Sequence, residues 1–182
     1  MKAQLVDSIR PGDLVYEIKF DGYRALALRG CHETRILSRN QKDLGKKFPE
    51  ITSSIAALDV QDAIIDGEIV ALDDKGRSSF QLLQGFDMGE QRPPIVFYAF
   101  DLLRLNGKDL RNLRIEERKA KLEELLTTGR RGDQIVLYLF FAAFSPKWPA
   151  TEILSMASER LKKLGGIAWL KGELLTMDWS KF

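Results

Sequence analysis

The sequence has 182 residues, of which 45% are hydrophobic and 30% are charged, and its net charge is +2. These proportions are typical of a globular protein with one core, and the small net charge does not indicate a nucleic-acid partner by itself. The single cysteine, Cys31, excludes an internal disulfide, and the single histidine excludes a His/Cys zinc cluster. The longest apolar run has ten residues, too few to span a bilayer, so we expect a cytoplasmic protein without membrane association.

Three β-rich runs open the chain. "LVYEIKF" (14–20) and "YRALALR" (23–29) are separated by Asp21-Gly22, which is a tight-turn signal. "TRILSR" (34–39) follows as a third strand. Parallel crossovers need longer connections, so these three strands can form an antiparallel meander.

The rest of the chain alternates strands and helices, which favours an α+β fold with antiparallel sheets. Asp66-Gly67 interrupts one strand as a turn, and "NGKDL" closes the next long strand. Apolar residues at helical spacing predict helices over 44–58, with Pro49 in the first turn, and over 78–86, 115–126 and 149–164. Runs of β-forming residues predict strands over 63–72, 94–105, 135–144 and 166–175.

Lys19 is the residue whose chemistry needs an explanation. A lysine on a strand is by default a solvated residue that discourages edge-to-edge aggregation. A lysine nucleophile must be neutral, which requires a pKa below its usual value of about 10.4. Attack on a nucleotide α-phosphate also needs a cation beside the phosphates and a glycine that permits close backbone approach. Lys19, Gly22 and Arg24 supply these residue types within six positions.

Four ordered motifs resemble those of the covalent nucleotidyltransferases, which are DNA ligases, RNA ligases and mRNA capping enzymes. "KFDGYR" (19–24) matches the Lys-x-Asp-Gly-x-Arg signature of that family, and "LSRN" (37–40) resembles its next element. "IIDGEIVALDDKGRSSFQLLQ" (64–84) and "VFYAFDLLRLNGKDL" (96–110) resemble the two that follow. The amino-acid sequence over roughly residues 3–126 most resembles the ligase part of bacterial ligase D, an end-joining enzyme.

The resemblance implies an ATP-grasp-like adenylation domain that uses ATP and Mg²⁺ and forms a lysyl-AMP intermediate for DNA joining. Judged singly, each matching residue would be an ordinary strand, loop or core residue, but the ordered set favours a functional role. The resemblance implies that Lys19 is the residue to which AMP becomes covalently attached. For the nucleoside it implies adenine recognition by Glu17, contact with a ribose hydroxyl by Glu68, and adenine stacking on Phe100, with Tyr98 as a substitute. For the phosphates it implies that Arg24 contacts the ribose or phosphate and that Arg39 contacts the AMP phosphate or a nick 5′-phosphate.

The C-terminal part departs from the family pattern. Gly165-Gly166 stands where a metal-binding Glu-Gly pair is expected, so the metal ligands stay unassigned. Lys171, in a Trp-x-Lys segment, is the candidate for a later lysine that contacts the nucleotide phosphate. We therefore expect one adenylation domain over 1–182, with a family-like core at 1–126, a divergent and shortened end at 127–182, and no OB-fold domain.

These departures leave alternatives open. A degenerate homologue could bind nucleotide or DNA without chemistry, and an RNA ligase or capping-type enzyme would share the fold. For nicked or broken duplex DNA near the nucleoid, the candidate cations are Arg39, Lys42, Lys46 and Lys47. Further expected partners are other end-joining proteins or a separate OB-fold domain. Self-association through the uncharged run at 135–144 is also expected if its partner strands are missing.

Overall fold

The fold is described from a computed structural model, which describes residues 15–16, 20–74, 76–128, 135–137 and 142–143. The elements confirm the predicted α+β class. They are strands β1 (Val15–Tyr16), β2 (Tyr23–Arg29), β3 (Thr34–Ser38), β4 (Ala63–Ala71), β5 (Ile95–Leu105), β6 (Lys108–Asp109), β7 (Ile135–Leu137) and β8 (Ala142–Ala143), and helices α1 (Pro49–Ala56), α2 (Phe80–Asp87) and α3 (Ile115–Thr128).

The main sheet is antiparallel in the order β3-β2-β4-β5-β6, and β7 pairs with β5 in parallel. The predicted pairing of the second and third strands is confirmed. The predicted three-stranded meander is wrong, because β1 pairs with β8 in a separate two-stranded sheet. The other neighbour of β2 is β4, a strand that lies after α1 in the chain.

The core lies between one face of the main sheet and the three helices. Alternate residues of the central strands point into it, including Ala25, Ile65 and Phe97, all nearly or fully buried. Each helix contributes apolar side chains to the same cluster: Ile51 and Ile55 from α1, Leu83 from α2, and Leu122, Leu125 and Leu126 from α3. The three helices therefore all cover the same face of the main sheet, and the opposite face is not covered by them.

Two local signals in the sequence had different outcomes. Asn106 and Gly107 form the predicted turn, and both have positive φ angles (46° and 80°), as a tight β-hairpin requires. The predicted turn at Asp66-Gly67 is wrong, because β4 runs through both residues. Gly67 is needed there for packing, since a Cβ at this position would lie 2.4 Å from Cζ of Phe97.

The apolar run at 135–144 is described only in part. Ile135 is buried against the core, β7 extends the main sheet, and β8 pairs with β1. The predicted helix over 149–164 and the strand over 166–175 lie outside the described residues. Within the described part of the chain, no helix has the length and apolar character needed to cross a membrane.

Candidate functional site

The predicted site residues on the central strands share the sheet face opposite the core. The strand register places Arg24 of β2 beside Glu68 of β4, and Glu68 beside Tyr98 of β5. Asp66 lies two residues before Glu68 on β4 and therefore on the same face, and the Phe100 ring lies there too because Arg24 contacts it. The structure thus brings together Arg24, Glu68 and Phe100, three residues that are separated by up to 76 positions in sequence.

Arg24 is held in one orientation by Asp66. Its Nε and Nη2 atoms donate to Oδ1 and Oδ2 of Asp66 at 3.1 and 2.7 Å. The guanidinium carbon lies 5.3 Å from the ring centroid of Phe100, within the range of a cation–π contact. The Arg24 side chain is 36% exposed and that of Asp66 only 9%, so the carboxylate orients a cation that remains accessible to a ligand. Asp66 is a site residue that the sequence analysis missed.

Glu68 connects the lysine motif to the central strand β4. Its Oε1 accepts a hydrogen bond from the backbone N–H of Gly22 at 2.9 Å. Burial raises the pKa of the Glu68 carboxyl above its usual 4.5, and Asp21 and Asp66 add to this, while the Gly22 hydrogen bond and Arg24 oppose it.

Gly22 can approach β4 only because it lacks a side chain. A Cβ on Gly22 would lie 2.2 Å from the carbonyl oxygen of Ile69. The sequence analysis expected this glycine to admit a ligand. The structure shows that it admits the neighbouring strand and that this approach brings its N–H to Glu68, while the approach of a ligand stays a prediction.

Phe20, which follows Lys19 in the chain, packs on the same sheet face. Its ring stacks on Tyr98 with a centroid separation of 4.3 Å and an interplanar angle of 10°. Burial raises the pKa of the Tyr98 phenol. One face of the Tyr98 ring is therefore occupied by Phe20. The sequence analysis did not assign Phe20 a role, because nothing local connects it with residue 98.

The predicted DNA-contacting cations lie on the segment that joins β3 to α1. Ala25 of β2 pairs with Ser38 of β3. Arg24, which precedes Ala25, and Arg39, which follows Ser38, therefore lie at the same end of this strand pair. Arg39, Lys42 and Lys46 are exposed, and none of the three forms an ion pair with another described residue.

Lys47 differs from these three cations. Its Nζ pairs with Oδ1 of Asp87 and lies 4.7 and 5.2 Å from the ring centroids of Tyr23 and Phe48. The Tyr23 hydroxyl donates to the other oxygen of Asp87 at 2.6 Å. Burial, together with the hydrogen bond and charge of Asp87, raises the pKa of Tyr23 to about 12. Lys47 is therefore part of a contact between α1, α2 and β2.

Three predicted site residues, Glu17, Lys19 and Lys171, lie outside the described residues, and their roles stay predictions. Among the residues that are described, no group of three or more His, Cys, Asp or Glu side chains is arranged to hold a metal ion. The described site thus contains an oriented arginine, a half-buried carboxylate and a partly buried aromatic ring. These are groups suited to the phosphate, ribose and base of a nucleotide.

The match to a known family agrees with this geometry. Residues 1–138 match the ATP dependent DNA ligase domain, and the chain belongs to this family. Its antiparallel sheet and flanking helices are those of the nucleotidyltransferase fold of such ligases.

Individual relatives include end-joining ligases. The chain is 38% identical over 133 residues to the multifunctional non-homologous end joining protein LigD of Pseudomonas aeruginosa, covering 73% of this chain and 16% of that protein. It is 34% identical to DNA ligase C of Mycobacterium tuberculosis, covering 70% of this chain and 37% of that protein.

Two solved structures of mycobacterial ligases are similar to this chain. The ligase domain of M. tuberculosis LigD matches with 27% identity and a TM-score of 0.60, covering 82% of this chain and 44% of that one. Mycobacterial DNA ligase D complexed with ATP and MES matches with 27% identity and a TM-score of 0.57, over the same shares. The chain therefore spans less than half the length of the relatives it matches.

Proposed function

We propose that this chain is the adenylation domain of an ATP-dependent DNA ligase that acts in the joining of nicks or broken ends. The observation that carries the proposal is the convergence of Arg24, Glu68 and Phe100 on one sheet face, with Gly22 of the lysine motif bound to Glu68. Membership of the ATP dependent DNA ligase family and similarity to an ATP-complexed ligase D support the choice of ATP. We take 1–182 as a single domain with its family-like core at 1–126.

In the proposed reaction, the neutral amine of Lys19 attacks the α-phosphorus of ATP. A P–N bond forms, the P–O bond to the β-phosphate breaks, pyrophosphate leaves, and the nitrogen loses a proton to solvent. The remaining residues bind the nucleotide. We assign adenine recognition to Glu17 and Phe100, a ribose hydroxyl to Glu68, the ribose or phosphate to Arg24, and phosphate oxygens to Arg39 and Lys171.

Arg24 suits the proposed binding role because Asp66 fixes its guanidinium plane while more than a third of the side chain stays exposed. A cation held in advance loses less side-chain freedom when it binds phosphate, so more of the interaction stabilises the complex. Glu68 has one oxygen on Gly22, and its second oxygen can accept a ribose hydroxyl.

Mg²⁺ is proposed as a companion of the nucleotide. Mg²⁺ binds mainly phosphate oxygens and water in nucleotide sites and takes few protein ligands. When bound, this ion would neutralise charge on the phosphates.

Labelling with [α-³²P]ATP in the presence of Mg²⁺ tests the proposed reaction. The parent chain is expected to keep the label through detergent denaturation and to release it in acid, because protonated nitrogen is a good leaving group. Lys19→Ala should take up no label, and Lys121→Ala, which changes an exposed lysine of α3, should label like the parent. An unlabelled parent, or equal labelling of Lys19→Ala, would contradict the proposal. An unlabelled parent that still binds ATP would instead be a binding module.

We further propose that DNA is the acceptor of the AMP and that Arg39, Lys42 and Lys46 contact its phosphates. Their exposure on one connecting segment next to β2 supports this assignment. Such an enzyme would act in the cytoplasm at the nucleoid, with end-joining proteins or a separate OB-fold domain as partners. Preferential labelling by GTP, or transfer of AMP to nicked RNA alone, would favour a capping-type enzyme or an RNA ligase.

A further inference from the structure

Strand β5 contains an extra residue at the position of the proposed adenine-stacking ring. Asp66 pairs with Asp101 and Gly67 pairs with Ala99, so the register between β4 and β5 passes over Phe100. A residue inserted in this way is a β-bulge, which leaves the regular pairing and re-aims its side chain. The orientation of the Phe100 ring therefore depends on contacts beyond those between strands.

Helix α3 supplies such contacts through two consecutive residues. Nζ of Lys119 donates to the backbone carbonyl oxygen of Phe100 at 2.8 Å. Arg118 binds the next residue of the strand, with Nε and Nη2 donating to Oδ1 and Oδ2 of Asp101 at 2.8 and 2.9 Å. Its Nη1 also donates to the carbonyl oxygen of Leu113 at 2.7 Å. The bulge is thus tied to the helix at both its backbone and its neighbouring side chain.

The burial of Lys119 makes this contact informative. The side chain is fully buried, close in sequence to Leu122, which is also fully buried in the core. Removing an ammonium group from water is costly unless it finds good acceptors. An apolar residue of similar length would fill this space without that cost. The lysine therefore has a specific use for its charge, and the Phe100 carbonyl is one acceptor for it.

We propose that Lys119 is a positioning residue for nucleotide binding, which sets the Phe100 ring at the height and angle that the base requires. The inference rests on the proposed function, because it matters only if Phe100 stacks on adenine. Lys119 does not contact the nucleotide in this proposal. It acts through the backbone of the bulge, on the side of the strand where α3 packs, while the ring itself lies beside Arg24.

The test compares ATP affinity in four proteins: the parent, Lys119→Met, Phe100→Ala and the double variant. Methionine keeps the length and volume of the lysine stem but cannot donate to the carbonyl. Because base–aromatic stacking is a large part of nucleotide affinity, Lys119→Met should weaken ATP binding about three- to tenfold. Lys121→Met, which changes an exposed lysine two residues along the same helix, should bind like the parent.

The double variant separates positioning from a general structural effect. If Lys119 acts through the ring, Lys119→Met should have almost no effect on ATP affinity once Phe100 is alanine. Equal losses in the two backgrounds, or unchanged affinity in Lys119→Met, would overturn the inference while the parent still binds ATP. Failure of the parent to bind ATP would instead overturn the proposed function.

A second readout needs no nucleotide. Amide hydrogen exchange over residues 98–102 should be faster in Lys119→Met than in Lys121→Met, because the bulge has lost its anchor. Equal exchange in the two variants would contradict the positioning role. Lys119→Leu, which also lacks a donor to the carbonyl, gives the same comparison if Lys119→Met does not yield folded protein.

Discussion

Two aspartates, Asp66 and Asp101, occupy paired positions on β4 and β5, and each binds an arginine through two hydrogen bonds. Asp66 holds Arg24, which comes from the neighbouring strand and whose side chain is 36% exposed. Asp101 holds Arg118, which comes from α3 and whose side chain is only 11% exposed. The same ion pair thus orients a cation towards solvent in one place and anchors a helix in the other.

The two pairs converge on Phe100. Arg24 lies over its ring, and Arg118 binds the residue next to it in the strand. The comparison suggests a rule for this protein, in which burial of the arginine decides whether its removal affects stability or ligand binding. The predictions below test this rule.

The largest effect on stability is expected for Arg118→Met. This change leaves the Asp101 carboxylate buried without its cation, so the free energy of unfolding should fall by about 3–5 kcal/mol, measured by urea denaturation. Asp101→Asn combined with Arg118→Met should recover part of the loss, because a neutral amide costs less to bury. A loss below about 1 kcal/mol for Arg118→Met would contradict the anchoring role.

Arg24→Met should affect the reaction with ATP more than it affects the stability of the fold. The pair is partly solvated, so unfolding free energy should fall by only about 1–2 kcal/mol. Self-adenylation with labelled ATP should slow by about 10²-fold or more, since an oriented donor to phosphate is lost. The rule would be wrong if Arg24→Met destabilised the fold more than Arg118→Met, or if it labelled at the parental rate.

Glu68→Gln tests the half-buried carboxylate beside the Arg24–Asp66 pair through the pH dependence of stability. The folded-state pKa of Glu68 is raised above 4.5, so the folded protein binds more protons than the unfolded chain just above that pH. The contribution of this group to stability is therefore lost as pH rises through the folded-state pKa. Glutamine can still accept from Gly22 and does not ionise, so the variant should lack this loss.

The measurement is the difference in unfolding free energy between parent and variant from about pH 4 to 7. In this difference the contributions of the other carboxylates to the pH dependence cancel. Relative to the parent, Glu68→Gln should become more stable as pH rises. Glu90→Gln, which changes an exposed carboxylate, should show no such trend. A flat difference for Glu68→Gln would argue against a raised pKa.

The smallest effect concerns paired and exposed lysines in DNA binding. Lys42→Met should reduce the slope of log affinity against log salt for nicked duplex by roughly one, because an exposed cation releases one counterion. Lys47→Met should change the slope less, because its Nζ already pairs with Asp87, and should destabilise the fold more. Equal slopes for parent and Lys42→Met would remove that residue from the proposed DNA surface.

The residues that could be assigned from sequence are those with local or motif signals. The strands around Arg24 and Phe100 and the helix at Pro49 follow from composition and spacing, and both strands are found where predicted. Asp66 was misread because an Asp-Gly pair usually marks a turn. Gly67 is glycine for a distant reason, namely the Phe97 ring, which no local rule contains.

Contacts between distant segments could not be predicted in the same way. The Phe20–Tyr98 stack joins residues 78 positions apart, and β1 pairs with a strand near residue 142. In the sequence, Lys119 is one of several charged residues of a predicted helix, and nothing local distinguishes it from the exposed ones. Only the packing of α3 on β5 shows that it is buried. Self-association through 135–144 stays a prediction for sedimentation analysis, although the described parts of that run pair within the chain.

The hydrogen bond from Gly22 to Glu68 makes the candidate site preorganised. Gly22 of the lysine motif is bound to the central sheet by this hydrogen bond, so the ordering entropy of this residue is lost during folding instead of during binding. In the proposed enzyme, one carboxylate would then contact both the motif and the ribose. A nucleotide that sits badly on Glu68 would disturb the same group that holds the motif in place, so recognition of the sugar and alignment of the nucleophile would succeed or fail together.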